Sequence, residues 1–144
     1  CSSDLIQTAE DVLQMLESTG CDMVMSGRAL AARPWMMWQV AEQLGFAAPL
    51  SESGRRAPRS PLEEGREYGK SLQQLLKYEL IYFPEVLALR KFRFHVKTTC
   101  VWLPFGHALY SAVTKATTAQ ETAAALDRFF QQDIEMSPRT ELRQ

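Results

Sequence analysis

The sequence predicts a mainly α fold: one βα unit, a linker, and an antiparallel four-helix bundle. Three observations carry that expectation. Helix-start signals recur along the 144 residues, a single compact apolar run suits a buried strand, and a Pro-, Gly-, Ser- and Arg-rich stretch separates the two halves. With 46% hydrophobic and 23% charged residues and only 7 Gly and 7 Pro, the chain can bury one ordinary core or two small ones. No apolar run approaches the roughly 18 residues a membrane span needs, so no membrane partner is expected.

The elements follow in order. Thr8-Ala9-Glu10-Asp11 has the spacing of a capping box, in which a hydroxyl and a carboxylate satisfy the open amides of a helix start. Val12, Leu13 and Leu16 make an apolar stripe, and Gly20 stands where a helix C-terminus favours glycine. Cys21-Asp22-Met23-Val24-Met25-Ser26 then reads as a short buried parallel strand. Gly27-Arg28-Ala29-Leu30 leads out of it through a short turn or helix. Pro34 suits a first helical position, and Trp35, Met36, Val40 and Leu44 keep helical spacing up to Gly45.

After a linker, everything reads as helix. Ser60-Pro61-Leu62-Glu63 opens a helix expected to reach about Phe83, with Gly65 and Gly69 weakening its first half. Pro84 breaks it. A second helix is expected over Glu85–Val101, a third from Pro104 to Lys115, and a fourth from the capping box Thr118-Ala119-Gln120-Glu121, with Leu126, Phe129, Phe130 and Ile134 facing inward. The predicted organisation is therefore 1–46, a linker at 47–60, a helical domain at 61–136 and a frayed tail at 137–144.

The charge is segregated although its sum is only −1. Residues 1–52 carry two arginines against seven acids, residues 53–115 carry eleven Lys or Arg against five acids, and residues 116–144 carry three against five. A basic middle section points to an anionic partner for one region, or to a solvated helix surface. At 100° per residue Leu89, Phe92, Val96 and Cys100 share one arc of their helix, and Arg90, Arg93 and Lys97 a neighbouring one. Such a row, with Lys91 beside it and Arg55, Arg56 and Arg59 in the linker, can follow a phosphate backbone. Phe94, off the core arc, suits either stacking on an unpaired base or packing on a neighbouring helix.

The step from the predicted strand into Gly27-Arg28 is the sharpest chemical signal. Backbone amides at such a turn converge on an anion, and a glycine leaves room for its approach. The alternative is an ordinary Gly-Arg turn. No metal site is expected: Cys1, Cys21 and Cys100 are too few and too scattered for a zinc site or a disulfide framework, and His95 and His107 lack ligand spacing. Three scattered cysteines suit a reducing compartment, and no basic-then-apolar leader follows Cys1, so no secretion signal is expected.

The stretch Thr19-Gly20-Cys21-Asp22-Met23-Val24-Met25-Ser26-Gly27-Arg28-Ala29 followed by Arg33-Pro34-Trp35 resembles the tRNA-dihydrouridine synthase family. There a T-G-A/C-D-x-V-M-I-G-R-A pattern and N/R-P-W form the last barrel strand and its phosphate-binding turn. Leu89-Arg90-Lys91-Phe92-Arg93-Phe94-His95 is similar to the family's R-K-H-x-x-W-Y helix, and the Thr118–Phe130 helix is similar too. Ser26 stands in place of the usual Ile, and Phe92 in place of the usual His.

The resemblance implies an FMN-bearing (β/α)8 barrel joined to a helical tRNA-binding domain, with NADPH as reductant and uridine in tRNA as substrate. On that reading this chain holds the terminal βα unit of the barrel, with Gly27 and Arg28 at the FMN phosphate, followed by the bundle, with tRNA contacts at Arg55, Arg56, Arg59, Arg90, Lys91, Arg93 and Lys97. A complete barrel needs about 250 residues. No catalytic residue is therefore assigned in this chain, whose expected state alone is inactive, in a cytoplasmic parent with no protein partner implied. The competing readings are a non-catalytic RNA-binding module and the tail of a different FMN-barrel oxidoreductase.

Overall fold

The computed structural model describes residues 6–49 and 54–140. Cys1, residues 50–53 of the predicted linker and residues 141–144 of the predicted tail lie outside them. The fold is mainly α, and the chain divides into two compact units, Cys1–Ser60 with Pro138–Gln144, and Pro61–Ser137.

In the first unit α1 spans Ala9–Thr19. Its capping box forms: the Thr8 hydroxyl accepts the Asp11 amide at 3.3 Å, and the Asp11 carboxylate accepts the Thr8 amide at 3.0 Å. Gly20 closes the helix at φ 63°, a conformation that favours glycine, and its amide reaches the Leu16 carbonyl. The predicted strand does not form; no strand exists among the described residues, and residues 23–27 follow an irregular path. A strand exists only by pairing, and none of the described segments lies alongside to exchange backbone hydrogen bonds. Met23 and Met25 consequently stand 86% and 74% exposed.

Two short helices follow, α2 at Arg28–Ala32 and α3 at Met36–Gln43. Pro34 and Trp35 form a turn before α3, so that helix starts two residues later than Pro34 suggested. Met36 and Val40 bury against Ala9, with Val12, Leu13 and Leu30 packed around them. This is the amphipathic stripe of α1 meeting that of α3. The tail expected to fray is tied down where it is described. The Gln7 side chain donates to the Thr140 carbonyl at 3.1 Å and accepts its amide at 2.9 Å, while Arg139 pairs with Asp11.

The second unit holds α4 (Pro61–Tyr82), α5 (Glu85–Thr99), α6 (Gly106–Lys115) and α7 (Ala119–Phe130), with a 3-10 turn at Cys100–Trp102. α4 packs on α5 and α7, and α6 on the same two helices. Leu89, Phe92, Val96 and Cys100 are buried as their spacing predicts, and Leu126 is fully buried. The Thr118–Glu121 capping box opens α7, while Ile134 lies beyond that helix rather than on it. The buried Tyr68 hydroxyl meets Thr99 Oγ1 at 2.7 Å, and Thr99 Oγ1 in turn donates to the His95 carbonyl at 2.8 Å. Burial pushes the Tyr68 hydroxyl far above its ordinary range, so it remains a proton donor between α4 and α5.

Gly65 and Gly69 do not interrupt α4. They admit neighbours: a Cβ at Gly65 would lie 1.8 Å from the Ile134 carbonyl oxygen, and one at Gly69 would lie 2.9 Å from the Phe130 ring. Helix propensity alone favours alanine by about 1 kcal/mol, whereas overpacking costs about 1–3 kcal/mol. Gly65→Ala is therefore expected to destabilise the protein, because backbone cannot swing aside. Gly69→Ala is expected to cost less, since the Phe130 ring can move. Urea-unfolding midpoints check both, and a stabilised Gly65→Ala would show that the close approach does not exist in solution.

Acid should loosen the first unit. Burial raises the Asp11 carboxyl, but the Arg139 guanidinium and the Gln7 and Thr8 amides outweigh it and hold the group below its ordinary 3.8. Its stabilisation is complete above about pH 5 and is lost as pH falls through the depressed native value. Asp11→Asn is expected to lower the melting temperature near neutrality and to flatten its decline between about pH 5 and pH 2. Thermal melts across that range test this; a decline as steep as in the parent protein would assign the acid sensitivity to other groups.

Candidate anion-binding turn and basic face

Gly27 precedes α2 at φ −100° and ψ −86°, and its carbonyl accepts the Ala31 amide at 3.0 Å. The amides of this first turn point out of the helix end, where an anion is favoured. Gly27 and Arg28 are exposed, whereas Ala29 and Ala32 on the inner side are fully buried and anchor the turn. Behind them Arg33 is buried, and its Nη1 donates to the Gln7 carbonyl at 3.0 Å and to the Pro138 carbonyl at 3.1 Å. A Cβ at Gly27 would meet nothing within 4 Å, and its φ is negative. Neither backbone conformation nor the chain's own packing requires glycine there. An opening of this kind, beside an exposed guanidinium, leaves room for a phosphate-sized anion.

The basic residues predicted on α5 separate into two kinds. Arg90, Lys91 and Lys97 are exposed. Lys91 Nζ lies 4.7 Å from the centroid of the Phe83 ring, and the side chains of Arg90 and Lys97 make no ion pair among the described residues. Arg93 instead turns inward. It is half-buried, and its Nη2 donates to the carbonyl of Ala116, the C-cap of α6, at 2.7 Å. Arg93 is thus a helix-capping residue before it is a phosphate ligand, a role its spacing alone did not reveal because the acceptor lies 23 residues away.

The linker arginines belong to the first unit and lie along α3. Arg59 pairs with Glu42 at 3.2 Å, Arg56 Nη1 reaches the Ala57 carbonyl at 3.4 Å, and the Arg55 guanidinium carbon lies 5.9 Å from the centroid of Trp38. Glu42 also accepts the Ala57 amide at 3.0 Å; that bond first, then Arg59, holds its carboxyl below the usual range. These contacts make part of the predicted linker an ordered strap, with Arg59 still largely exposed.

Burial pushes the Cys100 thiol up, which leaves a poor nucleophile, and Cys21 is a free, half-buried thiol. Burial pushes His95 down, favouring its neutral form. No group of three His, Cys, Asp or Glu side chains suited to a metal ion occurs among the described residues, and no described helix is long and apolar enough to cross a membrane.

The family description that matches this chain is Dihydrouridine synthase (Dus), over residues 5–135. That range contains α1 to α7, the Gly27 turn and the α5 face. Among curated proteins, a probable tRNA-dihydrouridine synthase of Mycobacterium leprae is 30% identical over 128 residues, covering 85% of this chain and 29% of the relative. A protein of the same description from Mycobacterium tuberculosis is 31% identical over 124 residues, with the same coverages. The chain thus spans less than a third of the length of these relatives. No solved structure matches it significantly. With a match across nearly its whole length, the chain belongs to the dihydrouridine synthase family.

Proposed function

We propose that this chain is the C-terminal portion of a flavin-dependent tRNA-dihydrouridine synthase, which reduces uridine in tRNA to dihydrouridine. The observation that carries the reading is the family match across residues 5–135, which includes both candidate anion-binding features. In this reading residues 1–46 complete a (β/α)8 barrel, 47–60 join it to the second domain, and 61–136 form an antiparallel four-helix bundle that holds tRNA. The irregular run 22–26 would become a strand once neighbours pair with it. Gly27 and Arg28 would hold the phosphate of FMN. When bound, that cofactor supplies a hydride carrier between NADPH and the uracil ring. The parent protein would work in the cytoplasm, and this chain alone would be inactive, since no catalytic residue is assigned within it.

Two experiments test the reading at separate places. In a polypeptide of the relatives' full length, Gly27→Val fills the opening over the turn and is expected to lower flavin content, read as flavin absorbance per protein after gel filtration. Arg28→Ala is expected to act more mildly, because the backbone amides make the main contact. Unchanged flavin in the valine variant removes this turn from the site.

The second concerns tRNA. Removing one side chain that neutralises a phosphate lowers the slope of log affinity against log salt by somewhat less than one unit. Changing Arg90, Lys91 and Lys97 together to alanine should therefore reduce that slope by about two units for a tRNA transcript, measured by fluorescence anisotropy. Arg93→Ala should instead lower thermal stability, because the Ala116 carbonyl is left without its donor, with little change in slope. A triple variant that stays folded and keeps the parent slope would leave the α5 row as a solvated face.

A further inference from the structure

We propose that Phe94 is a stacking platform for an unpaired base of tRNA, a proposal that rests on the tRNA-binding reading above and assigns one nucleotide contact within it. Phe94 is 68% exposed, so it does not pack on a neighbouring helix, whereas Phe92 on the same helix is fully buried. A benzyl group left in water has apolar surface to offer a partner.

Its surroundings specify the partner. Helix neighbours lie three and four residues away. For Phe94 these include Arg90 and Lys91 one turn back and Lys97 one turn on, all exposed. No Asp or Glu occurs anywhere from Val86 to Gln120. The Glu85 carboxylate, at the start of α5, accepts the Ala119 amide at 2.7 Å. An exposed ring with cations one helical turn to either side, and no carboxylate on its own helix beyond Glu85, complements a polyanion that also carries π faces. A second copy of the chain is a poor match, because it would oppose the same three cations to themselves. A nucleic-acid duplex offers phosphates but keeps its base faces stacked; an unpaired nucleotide offers both.

The test uses the chain itself, an unmodified tRNA transcript and a blunt RNA duplex of similar length. Base–aromatic stacking corresponds to about 5- to 100-fold in affinity. Phe94→Ala and Phe94→Leu are expected to weaken tRNA binding by a factor in that range, with the salt slope unchanged and duplex binding unchanged. Phe94→Tyr is expected to stay within about twofold of the parent, because it keeps the ring. The leucine variant separates aromatic stacking from plain apolar contact. Tight tRNA binding by the leucine variant overturns the proposal, as does an equal loss on duplex. Concentration-dependent self-association, or binding to phosphatidylserine vesicles, that disappears in Phe94→Ala while tRNA binding persists would give the patch to another occupant and overturn it too. Salt-dependent tRNA binding that ignores every Phe94 substitution overturns the stacking contact alone; no salt-dependent tRNA binding by the parent chain overturns the tRNA reading with it.

Discussion

At Gly65 the start of α4 meets the segment after α7 backbone to backbone, at a distance that leaves no space for a methyl group. The polar consequences of so close an approach are met on the spot. The Pro61 carbonyl accepts the Met136 amide at 2.9 Å, and the Trp102 carbonyl accepts the Ser137 amide at 2.7 Å. Buried main-chain groups require partners, and this return segment supplies them to α4 and to the 3-10 turn together. A similar constraint acts at Gly106, where a Cβ would lie 1.8 Å from the Cys100 carbonyl oxygen, so α6 can begin only against that turn. With the C-terminal end of α5 bounded in this way, the Tyr68–Thr99 hydrogen bond and the buried row Leu89, Phe92 and Val96 set its rotation. The outward placement of Arg90, Phe94 and Lys97 follows from that rotation.

The arginines divide by geometry rather than by charge. A guanidinium carries several donors in a rigid fork, which lets one side chain satisfy more than one carbonyl. Arg33 uses its fork on Gln7 and Pro138, residues 131 apart, and thereby holds the end of α2 against both termini of the first unit. Arg93 places one donor on the end of α6. Lysine, a flexible point charge, would serve either position poorly. On the α5 surface, by contrast, Lys91 and Lys97 stand beside Arg90 without such carbonyl acceptors.

Much of this architecture was legible because its determinants are local. Both capping boxes, the Gly20 stop, the break at Pro84 and the core arc of α5 involve residues within a few positions of one another. What could not be read depends on partners distant in sequence. The apolar run Cys21–Ser26 has strand composition, yet pairing decides whether a strand exists. Gly65 looks like a helix defect until Ile134 is brought against it. Pro138 to Thr140 look like a frayed end until Gln7, Asp11 and Arg33 are found beneath them. For the candidate site, charge counting found the α5 face but could not separate Arg93 from its neighbours. Spacing left Phe94 with two roles, and its exposure removes the one that packs it on a neighbouring helix.

The two proposed anion sites would work in different physical regimes. The Gly27 turn lies in the first unit, where eight acids nearly balance seven arginines, so little long-range attraction draws a phosphate to it. Such a site must rely on short-range amide dipoles and on the space a glycine leaves, contacts that solvent salt screens weakly once water is displaced. The α5 face lies in the second unit, whose nine bases match nine acids, but it gathers the exposed Arg90, Lys91 and Lys97 on one helix. A polyanion there would be attracted from beyond contact distance, released readily by salt, and given a fixed position only by a contact that charge does not supply. Among the exposed side chains of α5, Phe94 is the one aromatic ring, and stacking of a base on it would be such a contact. An insensitive small-anion site and a salt-sensitive surface can therefore coexist in a chain whose net charge is only −1.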